Sequence, residues 1–292
     1  MQSGKWWLFG LVVASSLFLM PAAARANQKQ PASLLDDGIK LLGDGHFLEA
    51  VTTLNRFKQT APEDPRPYFY SGMALTEAGR LSGAALELGE AVRLEPQKPE
   101  YRIFQANVFS RLKQNTQAVD ALGIFDDKTV LKPLDAAWLL LLNDVYSRLE
   151  KYDDALRILE IFSERSPADP RIDLSRGKIY LQKGEPATAL ESFRKSIARS
   201  PNNPDAYFEL GKILYQNNET AASKQAFVEA VKQDAQNPEY LLKLGQACLA
   251  LGQTGEAIEY LKRAEPAASR YPQIYYALGN AYQSRGDRKS VV

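Results

Sequence analysis

The sequence predicts an all-α protein, an array of stacked helical hairpins built from one repeated motif. Three observations carry that prediction. Apolar residues recur at helical spacing in successive segments, separated by short clusters of Gly, Pro and Asn. The segments themselves recur: aligned on Gly-x-x-Tyr or Gly-x-x-Leu, the chain repeats with a period of 34 residues, most clearly from Pro65, Pro170, Pro204 and Pro238. The 292-residue chain is 45% hydrophobic and 10% aromatic, which supplies a core and excludes wholesale disorder.

The first element is an address. Lys5 gives a short positive start, Trp6 to Met20 runs without a charge, and Pro21 breaks the run. Ala24-Arg25-Ala26 then supplies small residues at the spacing signal peptidase requires, so cleavage is expected after Ala26. The alternative is a membrane anchor over residues 6–24. Arg25 and Lys29 directly after the run oppose it, because positive charge is usually kept inside. With the signal removed no stable membrane span is expected. No Cys follows the run to carry a lipid. Without residues 1–26 the chain has 34 basic and 35 acidic side chains, a formal charge of −1. A near-neutral exported chain with a single thiol suits a bacterial periplasm, or secretion, better than a disulfide-stapled domain.

The repeats follow at 31–64, 65–98, 99–135, 136–169, 170–203, 204–237 and 238–271, with a half repeat over 272–292. Each reads as a helix, a turn and a second helix. The eighth position is small almost throughout: Gly38, Gly72, Ala106, Asn143, Gly177, Gly211, Gly245 and Gly279. So is the twentieth: Ala50, Ala84, Ala118, Ala155, Ala189, Ser223 and Ala257. Gly inside a helix costs about 1 kcal/mol relative to Ala, so a recurring one needs a packing reason. The two columns are expected to face each other where the helices of a hairpin approach. Larger residues fill the twenty-fourth column: Leu54, Leu88, Leu122, Leu159, Phe193, Phe227 and Leu261. A single hairpin cannot bury both of its faces, whereas stacked hairpins can.

In the copy from Pro65, Tyr68, Gly72, Leu75, Gly79, Ala84, Leu88, Ala91 and Pro96 fall in phase. Tyr207, Leu210-Gly211, Leu214, Phe227 and Ala230 do the same from Pro204, and Tyr275, Leu278-Gly279, Tyr282 and Gly286 repeat the first half. This pattern resembles the tetratricopeptide repeat family, and the resemblance spans the chain after the signal. It implies a right-handed α-α superhelical solenoid whose first helices line a concave groove. It also implies a non-catalytic scaffold or adaptor that binds a protein or peptide partner, within an envelope assembly or secretion system if exported.

Three departures stand out. The third copy holds 37 residues, the extra length falling in Asp126 to Lys132, and Lys113 replaces the usual turn glycine. The fourth has Asn143 in the small column. Stacking between these two copies is therefore expected to be bent or loosened. The last copy stops at Val292 where its second helix is due, so either helix 272–285 is the cap or the chain is truncated.

Chemistry is sparse. One Cys, Cys248, and one His, His46, exclude a multi-thiolate or His-based metal site, and no cofactor is expected. Phosphate-loop, Gly-x-Ser-x-Gly and His-Glu-x-x-His motifs are absent. Ser192-Phe193-Arg194-Lys195 matches Ser-x-x-Lys, but Phe193 stands in a core column. Asp36-Asp37, Asp126-Asp127 and Asp153-Asp154 point about 100° apart on a helix and do not converge on one atom. His46 belongs to a turn and Cys248 to the core. No enzyme reading survives. With 36 basic and 35 acidic residues, nucleic acid is not an expected partner.

Surface remains. By the resemblance, the second, fifth, ninth, twelfth and thirteenth positions line the groove. From the third to the sixth repeat these supply Arg111, Arg148, Lys178 and Lys212, with the amides Asn107, Gln182 and Gln216 between them and Asp144 opposing. Phe208 and Tyr215 are expected to add aromatic surface, and Leu35, Ile39, Phe69 and Met73 an apolar N-terminal stretch. A cationic, amide-bearing groove suits a carboxylate or an extended peptide. The alternative partner is an acidic polysaccharide handled by an export accessory. The family's clamp for chaperone tails, a Lys and Asn four apart with matching residues in the next two repeats, is not present.

Overall fold

A computed structural model describes residues 29–286. The predicted signal lies outside the described residues, as does everything after Gly286. The described chain is all helix and turn: α1 (Lys29–Gly43), α2 (Phe47–Thr60), α3 (Pro65–Glu77), α4 (Leu81–Leu94), α5 (Pro99–Arg111), α6 (Asn115–Leu122), α7 (Lys128–Leu131), α8 (Ala136–Arg148), α9 (Tyr152–Arg165), α10 (Pro170–Gln182), α11 (Pro186–Arg199), α12 (Pro204–Gln216), α13 (Thr220–Gln233), α14 (Pro238–Ala250), α15 (Thr254–Ala264) and α16 (Gln273–Arg285). Consecutive helices pack in antiparallel pairs. The contacts divide the chain into two units between Ile158 and Leu159, within α9.

Local chemistry explains where the first helices start. Asp64, Asp169, Asn203 and Asn237 accept hydrogen bonds from the first free backbone N–H groups, and proline follows each of them at the first helical position. Proline fits there because its missing N–H would have no intrahelical partner. Asp135 caps α8 in the same way, accepting from Ala137 and Trp138.

The first helices also stop for a common reason. At each hairpin turn one residue takes positive φ, and the next N–H reaches back five residues. Arg80 N donates to Leu75 O at 2.8 Å and Gln253 N to Cys248 O at 2.9 Å. This reversal satisfies carbonyls that the helix end leaves open. Glycine holds the positive-φ position at most turns, but Lys113, Glu150 and Asn218 adopt it at φ +60°, +60° and +64°. The turn geometry is therefore imposed even where the side chain resists it.

The small column has a sharper cause than a meeting of small residues. Positions eight and twenty do touch: Ser223 Oγ donates to Gly211 O at 2.8 Å, and Asn143 Nδ2 donates to Ala155 O at 2.8 Å. Yet the group that excludes a side chain at position eight is the residue at position twenty-four. A Cβ on Gly211 would lie 2.6 Å from the Phe227 ring, and one on Gly72 would lie 2.6 Å from Leu88 Cγ. Asn143 is buried and satisfied, so its bulk is accommodated rather than disruptive.

The insertion in the third copy changes how the next copy packs. The second helix of that copy is shortened to α6, and Gly123–Asp126 and α7 fold the extra residues back. Phe125 and Leu131 are fully buried, and Arg157 Nη1 donates to Phe125 O at 3.2 Å. Within the first unit α8 packs directly on α5. The expected change in stacking takes the form of a change of partner: α2 packs on α3 and α4 on α5, whereas α8 packs on α5 while Phe125 and Leu131 of the insertion are buried.

Two glycines should respond oppositely to alanine. Gly211→Ala should lower unfolding free energy by about 1–2 kcal/mol, because overpacking against a rigid ring outweighs the helix-propensity gain. Gly89→Ala, in α4 with nothing within 4 Å of the new Cβ, should raise it by about 0.5–1 kcal/mol. Urea titration followed by circular dichroism measures both.

Candidate binding cleft

The predicted groove residues divide between the two units and between two fates. In the first unit, Asn107 is 7% exposed and Arg148 has folded onto it. Arg148 Nη1 donates to Asn107 Oδ1 at 3.0 Å and lies 2.8 Å from Ser110 Oγ, while Nη2 pairs with Asp144. This guanidinium ties α8 to α5. Arg111 is exposed and makes no ion pair among the described residues. The apolar N-terminal stretch is a correction: Leu35, Phe69 and Met73 are buried, and Ile39 is half-buried. Phe69 is covered by Tyr101, 4.6 Å away between ring centroids, with Phe104 at 5.8 Å.

In the second unit, basic residues are again consumed internally. Asp173 on α10 is 1% exposed and held between Arg176 at 3.0 Å and Arg199 at 2.8 Å. A buried carboxylate needs such partners to remain charged. Lys178 and Gln182 on α10 are exposed, and Lys178 has no ion pair among the described residues.

The remaining candidates converge. Lys212, Tyr215 and Gln216 of α12 line a cleft of about 230 Å³ together with Lys243 and Gln246 of α14, over Phe227 of α13. Lys212 Nζ pairs with Glu209 at 2.7 Å and stands 5.3 Å above the Phe208 ring. Lys243 has no ion pair among the described residues. Tyr215 is 38% exposed, as expected of groove surface. Phe208 is a correction: it is 4% exposed, because Tyr240 of α14 lies over it at 4.7 Å and Phe227 lies beneath at 5.7 Å. It supports Lys212 from below rather than presenting a ring to a partner. Tyr240 also donates its hydroxyl to Asp205, and burial, reinforced by that carboxylate, pushes the phenol well above its ordinary range.

Gln246 was legible as a ninth-position polar residue. Lys243, at the sixth, lies outside the groove columns. Its only sequence signal is its spacing three residues before Gln246, which puts both on one helix face. Cys248, fully buried on the same helix, has its thiol pushed up to about 11 by burial. That leaves it protonated and unreactive at neutral pH. Among the described residues no three His, Cys, Asp or Glu side chains gather as a metal site requires.

Models of the tetratricopeptide repeat match residues 140–204, 180–247 and 238–265. Among solved structures, a tetratricopeptide repeat protein from Parabacteroides merdae is similar with a TM-score of 0.65 at 15% identity, over 86% of this chain and 98% of that one. Pseudomonas aeruginosa pilF gives 0.52 at 21% identity, over 71% and 92%. A chain of the Cut9–Hcn1 hetero-tetramer of the APC/C gives 0.58 at 16% identity, over 86% of this chain and 48% of that one. At these identities the likeness concerns the fold. No curated protein matches the sequence.

Arg148→Ala should lower unfolding free energy by about 1–3 kcal/mol, since it strips a partner from the buried Asn107 carboxamide and Ser110 hydroxyl. The shift in urea midpoint measures it.

Proposed function

Because the chain belongs to the tetratricopeptide repeat family of interaction scaffolds, we propose that it is a periplasmic adaptor that takes an extended acidic segment of a partner protein across the α12–α14 cleft. The observation that carries this is the lining of the cleft. Two ammonium groups, two carboxamides and a phenol surround an apolar floor, and Lys243 has no countercharge among the described residues. Gln216 and Gln246 offer both donors and acceptors, which suits the main chain of an extended peptide. The lysines suit a carboxylate, and Phe227 and the Tyr215 ring give its aliphatic stem an apolar wall.

Size narrows the occupant. A cleft of about 230 Å³ is smaller than the roughly 300–1,000 Å³ typical of small-molecule sites. It fits a side chain or two delivered by a longer ligand.

The periplasmic setting rests on residues 1–26, whose charge, apolar run and small-residue site form an export signal. Among the described residues no helix is long and apolar enough to cross a membrane.

Two experiments test the reading. The protein recovered from the periplasm should begin at Asn27 by N-terminal sequencing; a product that starts at Met1, or one retained in the cytosol, refutes export. Lys212→Glu with Lys243→Glu should weaken capture of the partner from periplasmic extract by about tenfold or more, roughly 1.4 kcal/mol, with helical content and melting unchanged. Equal capture by the reversed bait would remove the cleft from the mechanism.

A further inference from the structure

One polar pair recurs on two consecutive first helices of the second unit. α10 carries Lys178 and Gln182, and α12 carries Lys212 and Gln216, at the ninth and thirteenth positions of their repeats. Four residues apart on a helix, the two members of each pair share one face. Packing does not account for the repetition, because Lys178, Gln182 and Gln216 are exposed and Lys212 is half-buried. The cleft uses only the pair on α12, with Gln246 at the ninth position of α14. Lys178 and Gln182 therefore carry the same chemistry one helix beyond it.

The acids of these helices are mostly engaged elsewhere. Asp173 is buried between Arg176 and Arg199, Asp205 accepts from Tyr240, and Glu209 pairs with Lys212. Glu239 stands in the first turn of α14. The hairpin turns add Glu185, 3.9 Å from Lys183, and the exposed Glu219. Glu191 of α11 and Glu229 of α13 each pair with a lysine of their own helix. Among the described residues none of these acids pairs with Lys178 or Lys243.

Spacing decides what such a ladder reads. α11 packs against both α10 and α12, and α13 against both α12 and α14, so successive first helices lie side by side. Neighbouring helix axes stand about 8–10 Å apart. A polyproline II segment turns once in three residues and rises about 3.1 Å per residue, so every third side chain returns to one face after roughly 9 Å. A β-strand returns its side chains to one face after about 7 Å or about 13 Å, which misses the helices. The polyproline II main chain also makes no internal hydrogen bonds, which leaves its amides and carbonyls to Gln182, Gln216 and Gln246.

We propose that the partner segment in the cleft runs on across α10 in a polyproline II conformation, with one carboxylate in the cleft beside Lys212 and a second, three residues away, on Lys178. This deepens the reading of the cleft given above and rests on it.

Fluorescence anisotropy with labelled proline-rich peptides tests the proposal. One peptide carries a single aspartate, and three others carry two aspartates placed two, three or four residues apart. In about 50 mM salt the three-residue spacing should bind about fivefold tighter than the single aspartate, and the other two spacings less than about twofold tighter. Lys178→Ala should bring all four peptides within about twofold of one another while melting like the parent, because the side chain it removes is exposed. Equal affinity for the three spacings, or an advantage that survives Lys178→Ala, overturns the proposal and leaves the cleft reading standing. If no peptide binds the parent, the cleft reading falls and the proposal with it. Binding of oligogalacturonate through Lys178 in place of the peptides would assign the ladder to an acidic polysaccharide and likewise overturn the proposal.

Discussion

Five hairpins among the described residues depend on one close approach, in which the side chain at position twenty-four lies on a Cα that carries nothing. Phe193 sits on Gly177, Phe227 on Gly211 and Leu261 on Gly245, at distances that a Cβ would turn into overlap. The helix-propensity cost of each glycine, about 1 kcal/mol, is smaller than the roughly 1.5–3 kcal/mol gained by burying a Leu or Phe. The balance favours glycine only while the large residue stays buried, so the two columns must keep phase along the chain. The left-handed turn recurs at every hairpin, and Lys113, Glu150 and Asn218 adopt it although it disfavours a side chain.

That constraint leaves the polar residues to be divided between internal ties and free surface. Arg148 ties α8 to α5, and Arg176 and Arg199 neutralise the buried Asp173. Lys212 leans on Glu209. Two of the four bases expected along the groove, Arg148 and Lys212, are therefore engaged within the fold. Arg111 and Lys178 stay exposed elsewhere, and at the α12–α14 cleft Lys243, which makes no ion pair among the described residues, stands beside the carboxamides of Gln216 and Gln246.

Periodicity alone made the helices and their turns legible. Asp or Asn before Pro at the start of a first helix is a cap followed by a fitted proline, so helix starts could be read directly. The insertion after Leu122 was legible as extra length but not as packed core. The burial of Phe125 and Leu131 comes from their position against neighbouring helices, which the period does not encode. The site was half legible: Lys212, Tyr215 and Gln216 belonged to it, whereas Asn107 and Phe208 did not present themselves and Lys243 was not in the pattern.

The fifth position shows where sequence reasoning ends. Phe208 and Tyr276 occupy the same place on equivalent helices, yet one is 4% exposed and the other 74%. The angle of a side chain about its own helix follows from counting residues, because the helical period is fixed by backbone geometry. By itself, then, the sequence determined the repeat, its paired helices and the small and large columns, while the contact of position eight with position twenty-four came from the structure. Only the tertiary structure decided which polar and aromatic residues meet solvent. Burial is a property of two surfaces, and the second belongs to a helix some 34 residues further along the chain.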